Sequence, residues 1–190
     1  MPNFIKKNQH MKKVIGFAGS NSSQSINAQL VSHLLSKLTN VSQKHIVLTD
    51  YEIPMYNVDT EQNSGIPIDV QLLKNEIAKA DGLVLSVNEH NGSWCSYFKN
   101  VFDWLTRADR NFLQGTKVLL MSTSPGARGA SSSLEYAKQT LPRFGAEIVE
   151  SFSFPSFQEN FDAETKTISD PALQMGVQEV IGSFLNELNA

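Results

Sequence analysis

Short, almost wholly apolar runs alternate along this chain with longer segments whose apolar residues recur every three or four positions. Val14–Ala18, Gly82–Val87 and Lys117–Ser122 are runs of the first kind, and His45–Thr49 and Glu147–Phe154 also read as strands. Between them, Ile26–Leu38, Val70–Ala80, Tyr97–Arg107, Ser133–Leu141 and Ala172–Leu188 carry helical spacing. Pro67 precedes the second of these helices, and Pro142 is expected to stop the fourth. Strands without in-and-out alternation are buried on both faces, which requires a parallel sheet sheathed by helices. The expected fold class is α/β, a three-layer sandwich around a five-stranded parallel sheet of order 2-1-3-4-5. In such a sheet ligands bind beyond the carboxyl ends of the strands, where the strand order reverses. The loops after strands 1, 3 and 4 are therefore where a site is expected.

Composition narrows the function. At 190 residues the chain makes one domain. Residues 13–190 form it, and residues 1–12 read as an N-terminal extension, either disordered or an upstream start ahead of Met11. A formal net charge of −3 argues against a protein that coats nucleic acid or an anionic membrane. No apolar run approaches a membrane span, and MPNFIKKNQHMKK lacks the apolar core of a signal peptide. The single cysteine, Cys95, excludes an internal disulfide framework and a cysteine-based zinc cluster. A reducing compartment, the cytoplasm, is the expectation.

The loop after strand 1 runs Gly19-Ser20-Asn21-Ser22-Ser23-Gln24-Ser25 and leads into Ile26 and Asn27 at the start of a helix. Free backbone N–H groups and the positive end of the helix dipole suit a phosphate there. Ser20, Ser22 and Ser25 add hydroxyls and Asn27 an amide; an ordinary helix cap needs only one such residue. The loop matches neither the dinucleotide pattern nor the P-loop pattern, which disfavours tight NAD binding here and ATPase chemistry. The loop after strand 3 is Asn88-Glu89-His90-Asn91-Gly92-Ser93-Trp94, and that after strand 4 is Ser124-Pro125-Gly126-Ala127-Arg128-Gly129.

With these three loops the chain resembles the NADPH-dependent FMN reductase family, the flavodoxin-like quinone, azo-dye and chromate reductases. The family's first loop, G-S-x-R-x-x-S-x-N, is matched by Gly19-Ser20, Ser25 and Asn27. Its second, P-E-Y-N followed by L-K-N-A-x-D-W, is matched by Glu89, Asn91, Lys99-Asn100, Asp103 and Trp104. The third segment is Ser122 to Gly129, and the resemblance covers about residues 13–150. It implies a flavodoxin-like domain with FMN bound non-covalently, and NADPH or NADH as electron donor. Two electrons would go on to a small-molecule acceptor: a quinone, azo compound, flavin or metal oxyanion. It also implies a homodimer or homotetramer. The residues carried over as flavin contacts are Ser20, Ser22, Ser25, Ile26, Asn27, Glu89, His90, Asn91, Gly92, Ser93, Ser124, Pro125, Gly126 and Arg128. No residue is assigned as catalytic acid or base, because hydride transfer between nicotinamide and flavin needs positioning and electrostatics.

The sequence departs from the family in three places. Ser22 stands where the family often has Arg, which forgoes a charged hydrogen bond of about 1.5–3 kcal/mol. Arg128 reads either as its replacement or as a solvated surface arginine. Asn88 and His90 replace the family's Pro and Tyr; His90 reads as a donor beside the flavin or as a polar loop residue. Glu89 reads as a flavin-site carboxylate, an interface partner or a solvated charge. Cys95 reads as a buried filler or a thiol near a helix start, and Trp104 as core. The aromatic run Phe152, Phe154, Pro155, Phe157 and Phe161 is either an outer wall of the core or a lid.

Two rivals are weaker. A serine hydrolase using Ser20 would need a histidine late in the chain, and His10, His33, His45 and His90 all precede strand 4. The motif G-x-S-x-G is absent too. A flavodoxin-like electron carrier would be expected to carry more negative charge than −3.

Overall fold

Apolar residues alternate between two faces along the first strand of the computed structural model, which describes residues 11–190. In β1 (Lys13–Ala18), Val14 and Ala18 pack on one side of the sheet, Ile15 and Phe17 on the other. The remaining elements are α1 (Ile26–Lys37), β2 (Ser42–His45), α2 (Val58–Ser64), α3 (Ile68–Ala78), β3 (Gly82–Val87) and α4 (Ser96–Ala108). They continue with β4 (Lys117–Thr123), α5 (Ser131–Thr140), β5 (Glu147–Phe154), α6 (Phe157–Asn160), β6 (Phe161–Asp162), β7 (Thr167–Ile168) and α7 (Pro171–Asn189). The large sheet has order β2-β1-β3-β4-β5 and every neighbouring pair is parallel. This is the flavodoxin-like three-layer sandwich expected from the sequence. The extension expected at the N-terminus lies, up to residue 10, outside the described residues.

The two helical layers follow the strand alternation. α1 and α7 cover Val14, Val84, Leu119 and Met121, while α3, α4 and α5 cover Ile15, Leu83, Leu85, Val118 and Leu120. Trp104 is fully buried and donates from Nε1 to the Pro54 carbonyl at 2.8 Å, so it is core, as read. The aromatic run resolves the same way. Phe154, Phe157 and Phe161 are buried against α1 and α7, with Phe157 stacked on Phe161 at 4.7 Å between ring centroids. They wall the core.

Two boundaries shift. The second strand is Ser42–His45, all exposed, and not His45–Thr49; Ile46 and Leu48 are buried where the chain leaves the sheet edge and turns inward. Pro142 does not stop a helix outright but sits in the first turn of a short 3₁₀ segment, Leu141–Phe144, that prolongs α5. α2, α6 and the β6–β7 hairpin were not expected from periodicity.

The hairpin is fastened to α1. His33 Nδ1 lies 2.9 Å from the Lys166 carbonyl, and its ring meets Phe161 edge-on. A carbonyl only accepts, so Nδ1 carries the proton and donates. Burial holds the His33 pKa below its ordinary value; the Lys166 hydrogen bond opposes this and the Lys37 charge adds to it. Burial lowers His45 as well. Below about pH 6.5 the unfolded chain then binds more protons than the folded one, so stability falls as pH drops. The urea midpoint is expected to be lower at about pH 5.5 than at about pH 7.5, and His33→Gln to reduce the difference. A midpoint that does not move across this window would contradict the assignment.

Candidate functional site

Parallel strands deliver their carboxyl ends, and the loops that follow, to one edge of the sheet. Here the loops after β1, β3 and β4 surround an open cleft of about 190 Å³. Of the residues expected in the site, Ser20, Ser22, Ser25, Ile26, Asn27, Glu89, His90, Ser124 and Pro125 line it. Gln24, Asn88 and Thr123 line it too and were not among the flavin contacts expected from the sequence. Asn91, Gly92, Ser93, Gly126 and Arg128 lie in the same loops but are not among the lining residues.

The first loop is built from hydroxyls that accept from the backbone. Ser20 Oγ accepts from Ser22 N–H at 3.2 Å, Ser22 Oγ from Gln24 N–H at 3.2 Å, and Ser25 Oγ from Ala28 N–H at 3.1 Å. Each hydroxyl therefore keeps its own proton to donate. Ser25 is the N-cap of α1, and Ile26 and Asn27 are its first two residues, whose N–H groups have no carbonyl a turn back. Three hydroxyl donors and a helix N-terminus thus converge on one cleft wall, the chemistry a phosphate monoester requires. Among the described residues, no lysine or arginine lines the cleft. Arg128 rests its guanidinium on the Ser131 and Ser132 hydroxyls at 3.4 and 2.9 Å.

Below this wall Asn27 holds three elements together. Its Oδ1 accepts from Ser86 Oγ at 2.7 Å and Thr123 N–H at 3.3 Å, and its Nδ2 donates to the Thr123 carbonyl at 3.3 Å. Its side chain, buried to 3% exposure, is thereby spent on β3 and β4, leaving the backbone N–H as its free donor.

The loop after β3 is fixed at both ends. His90 and Ser93 exchange backbone hydrogen bonds at 2.8 and 3.2 Å around Asn91 and Gly92, at φ 54° and 80°. Two successive positive φ angles make this a tight turn for which Asn-Gly is the preferred pair. A Cβ on Gly92 would meet nothing within 4 Å, so the rim is unobstructed there. Glu89 is half-buried, its Oε2 accepting from Ser133 N–H at 3.1 Å in the first turn of α5. That satisfies a free helix donor and complements the dipole. Ser133 Oγ donates to the Asn88 carbonyl at 2.6 Å, closing the clasp.

Cys95 is the N-cap of α4, accepting from Phe98 N–H at 3.5 Å and donating to the Gly19 carbonyl at 3.3 Å. It is buried and ties the first loop to the third layer. Cys95→Ala is expected to cost about 1 kcal/mol of stability, the usual loss of a cap, and to leave flavin retention unchanged. Chemical unfolding beside a flavin absorption spectrum checks both halves. Among the described residues no cluster of His, Cys, Asp and Glu could hold a metal ion, and no helix is long and apolar enough to cross a membrane.

Comparison with known proteins gives a consistent result. Residues 12–159 match the family model described as NADPH-dependent FMN reductase. A quinone reductase of Escherichia coli is 30% identical over 161 residues, covering 83% of this chain and 85% of that protein. An NAD(P)H-dependent FMN reductase of Pseudomonas aeruginosa is 28% identical over 175 residues, covering 88% and 91%. In fold, the chain is similar to the flavoenzyme NAD(P)H:(acceptor) oxidoreductase FerB of Paracoccus denitrificans. That match has TM-score 0.75 and 24% identity, and covers 94% of this chain and 98% of that one.

Proposed function

Because the chain belongs to the NADPH-dependent FMN reductase family, we propose that its cleft seats FMN and serves the reduction of a small-molecule acceptor, a quinone first among them. The chain is an NAD(P)H-dependent oxidoreductase whose cofactor is FMN. The observation that carries the placement is the wall of Ser20, Ser22 and Ser25 hydroxyls beside the α1 N-terminus, which fits the flavin phosphate.

When bound, FMN supplies two-electron chemistry between a nicotinamide and an acceptor. Ser20, Ser22, Ser25 and the N–H groups of Ile26 and Asn27 would hold its phosphate. With no lysine or arginine on the wall among the described residues, that hold would consist of hydrogen bonds and the helix dipole. The rigid turn at Asn91–Gly92 and the segment Ser124–Gly126 would flank the ring, where backbone N–H groups can approach a flat surface. Glu89, His90, Ser93 and Arg128 would belong to the same rim, with Glu89 positioning the loop through α5 rather than touching the flavin. No side chain is needed to move a proton in hydride transfer between two rings, so the residues act by placing them. The quinone class is favoured by the E. coli relative and by a 2-hydroxy-1,4-benzoquinone reductase of a Burkholderia species, 31% identical over 120 residues. Two copies of the chain, each helping to wall the other's ring, are the assembly we expect; light scattering that returns a monomer at all concentrations overturns this.

The test is a visible spectrum of the protein after FMN is added and the excess removed, repeated with NADPH under anaerobic conditions and then with benzoquinone. Retained flavin bands, bleached by NADPH and restored by the quinone, are expected. Protein that retains no flavin overturns the placement; retained flavin that NADPH leaves unbleached makes the chain a carrier.

A further inference from the structure

The tip of the loop after β3 combines three features that open a side-chain amide to attack by its own backbone. First, Asn-Gly occurs once in the chain, at Asn91-Gly92, and both residues are exposed. A glycine leaves its backbone nitrogen unshielded, and a Cβ at Gly92 would meet nothing within 4 Å. Second, neither the Asn91 carboxamide nor the Gly92 N–H has a hydrogen-bond partner among the described residues. Third, the tip lies beyond the Glu89–Ser133 clasp and is closed by the His90–Ser93 backbone pair, at 2.8 and 3.2 Å. The two exposed asparagines that precede serine lack this combination. The N–H that follows Asn21, on Ser22, is spent on Ser20 Oγ at 3.2 Å, and Asn63 precedes Ser64 inside α2.

We propose that Asn91 is a self-modification site on the rim of the cleft. When the turn opens, the Gly92 nitrogen attacks the Asn91 side-chain carbonyl carbon, closing a cyclic imide and expelling ammonia, which carries off the Gly92 proton. Water then opens the imide at one of its two carbonyls and leaves aspartate or isoaspartate; nothing is oxidised or reduced. The residue pair best suited to the turn is thus the pair that gives it a finite life. Aspartate tolerates the left-handed φ of 54° as asparagine does, so that product keeps the turn and adds a negative charge. Isoaspartate routes the backbone through the side chain and lengthens it, so the His90–Ser93 pair no longer closes in register. With FMN seated as under the proposed function, both products set a negative charge beside an anionic cofactor, and isoaspartate also displaces the rim that flanks the ring. This consequence for the flavin rests on that reading; the modification itself does not.

The test ages the full chain in warm, mildly alkaline buffer, with and without FMN, beside an Asn91→Asp protein. Peptide mass mapping follows the modification, and anion exchange separates the modified fraction. The peptide holding Asn91 is expected to gain the mass difference between an amide and an acid, faster as alkalinity rises and ahead of the peptides holding Asn21 and Asn63. Isoaspartate is expected to be the larger product. The modified fraction is expected to retain less flavin than the Asn91→Asp protein, which carries the charge without the lengthened backbone, and that protein less than the unaged parent. No gain at Asn91, or an earlier gain at Asn21 or Asn63, overturns the proposal. A modified fraction that retains as much flavin as the unaged parent overturns its consequence for the cleft. An unaged parent that retains no flavin counts against the proposed function and leaves the mass result standing.

Discussion

Asn27→Asp is expected to lose about 3–5 kcal/mol of stability at pH 7 and with it the retained flavin. The substitution is nearly isosteric, so the cost is electrostatic. The carboxylate would be buried at 3% exposure, with Ser86 Oγ and Thr123 N–H still donating to it. Its second oxygen, however, would face the Thr123 carbonyl at about the 3.3 Å now spanned by the Nδ2 hydrogen bond. Two acceptors at that distance repel, and the acid relieves this by holding a proton. Its folded pKa would be raised above the ordinary carboxylate value, so the folded state binds more protons than the unfolded one near neutrality. The cost relative to the parent therefore grows as pH rises and shrinks as pH falls to about 4 and below, where both states become protonated. A negative charge under the phosphate wall opposes the flavin dianion directly. Urea unfolding from about pH 4 to 8 and flavin absorbance after gel filtration measure the two effects. A variant as stable as the parent at pH 7 would show that Asn27 does not bind the strands together as described.

Gly129→Ala is expected to cost about 2–5 kcal/mol, a large share of the stability of a domain this size. Two causes add. Gly129 has φ 55°, a left-handed conformation that costs an L-residue about 1–2 kcal/mol. A Cβ would also meet Ser153 Oγ at 2.5 Å and the Phe154 backbone carbon and oxygen at 2.8 Å. The backbone of β5 cannot step back, because Thr123 Oγ1 donates to that same Phe154 carbonyl at 2.8 Å. Gly115→Ala separates the causes. Gly115 has φ 72° with nothing within 4 Å of a Cβ, so it should show only the conformational part, about 1–2 kcal/mol. Equal losses in the two variants, measured by urea unfolding, would mean that the collision is relieved by movement of the loop.

Much of the architecture is legible in the chain because its central strands are buried on both faces. β3, read as Gly82–Val87, and β4, read from Lys117, are buried and apolar through their middles, and with Val14–Ala18 they stand out from the rest of the sequence. The edges are harder. β2 reads Ser-Gln-Lys-His and is exposed throughout, since an edge strand needs only one ladder partner and few buried side chains. The apolar Ile46, Val47 and Leu48 beside it drew the expected strand three residues too far along. α2 is polar at all but one of its positions and has no buried face. Its local signals are an Asn57 cap, with Oδ1 accepting from Thr60 N–H, and Gly65 at its end. The hairpin at Phe161–Ile168 is too short for any periodicity to register.

At the candidate site, position was legible and employment was not. Ser20, Ser22 and Ser25 could be marked because hydroxyls before a helix have few other uses in such number. Glu89 could not be assigned, because its partner Ser133 lies 44 residues away and only the fold brings them together. Asn27 read as a donor to a ligand, whereas its side chain is consumed by β3 and β4. Thr123 was passed over because a threonine closing a strand looks like any other strand residue.

The same long-range ties have a consequence for how the molecule opens. Asn27 links α1 to β3 and β4, Cys95 links α4 to the loop after β1, and the Glu89–Ser133 clasp links α5 to the loop after β3. Neither of these two loops can swing free without breaking a bond to a different layer of the protein. They form one cooperative unit with the sheet, where loops that carry ligands usually fluctuate on their own. The amide protons of Thr123 and Ser133 should exchange with solvent at rates close to those of the central strands, governed by the same rare, concerted opening.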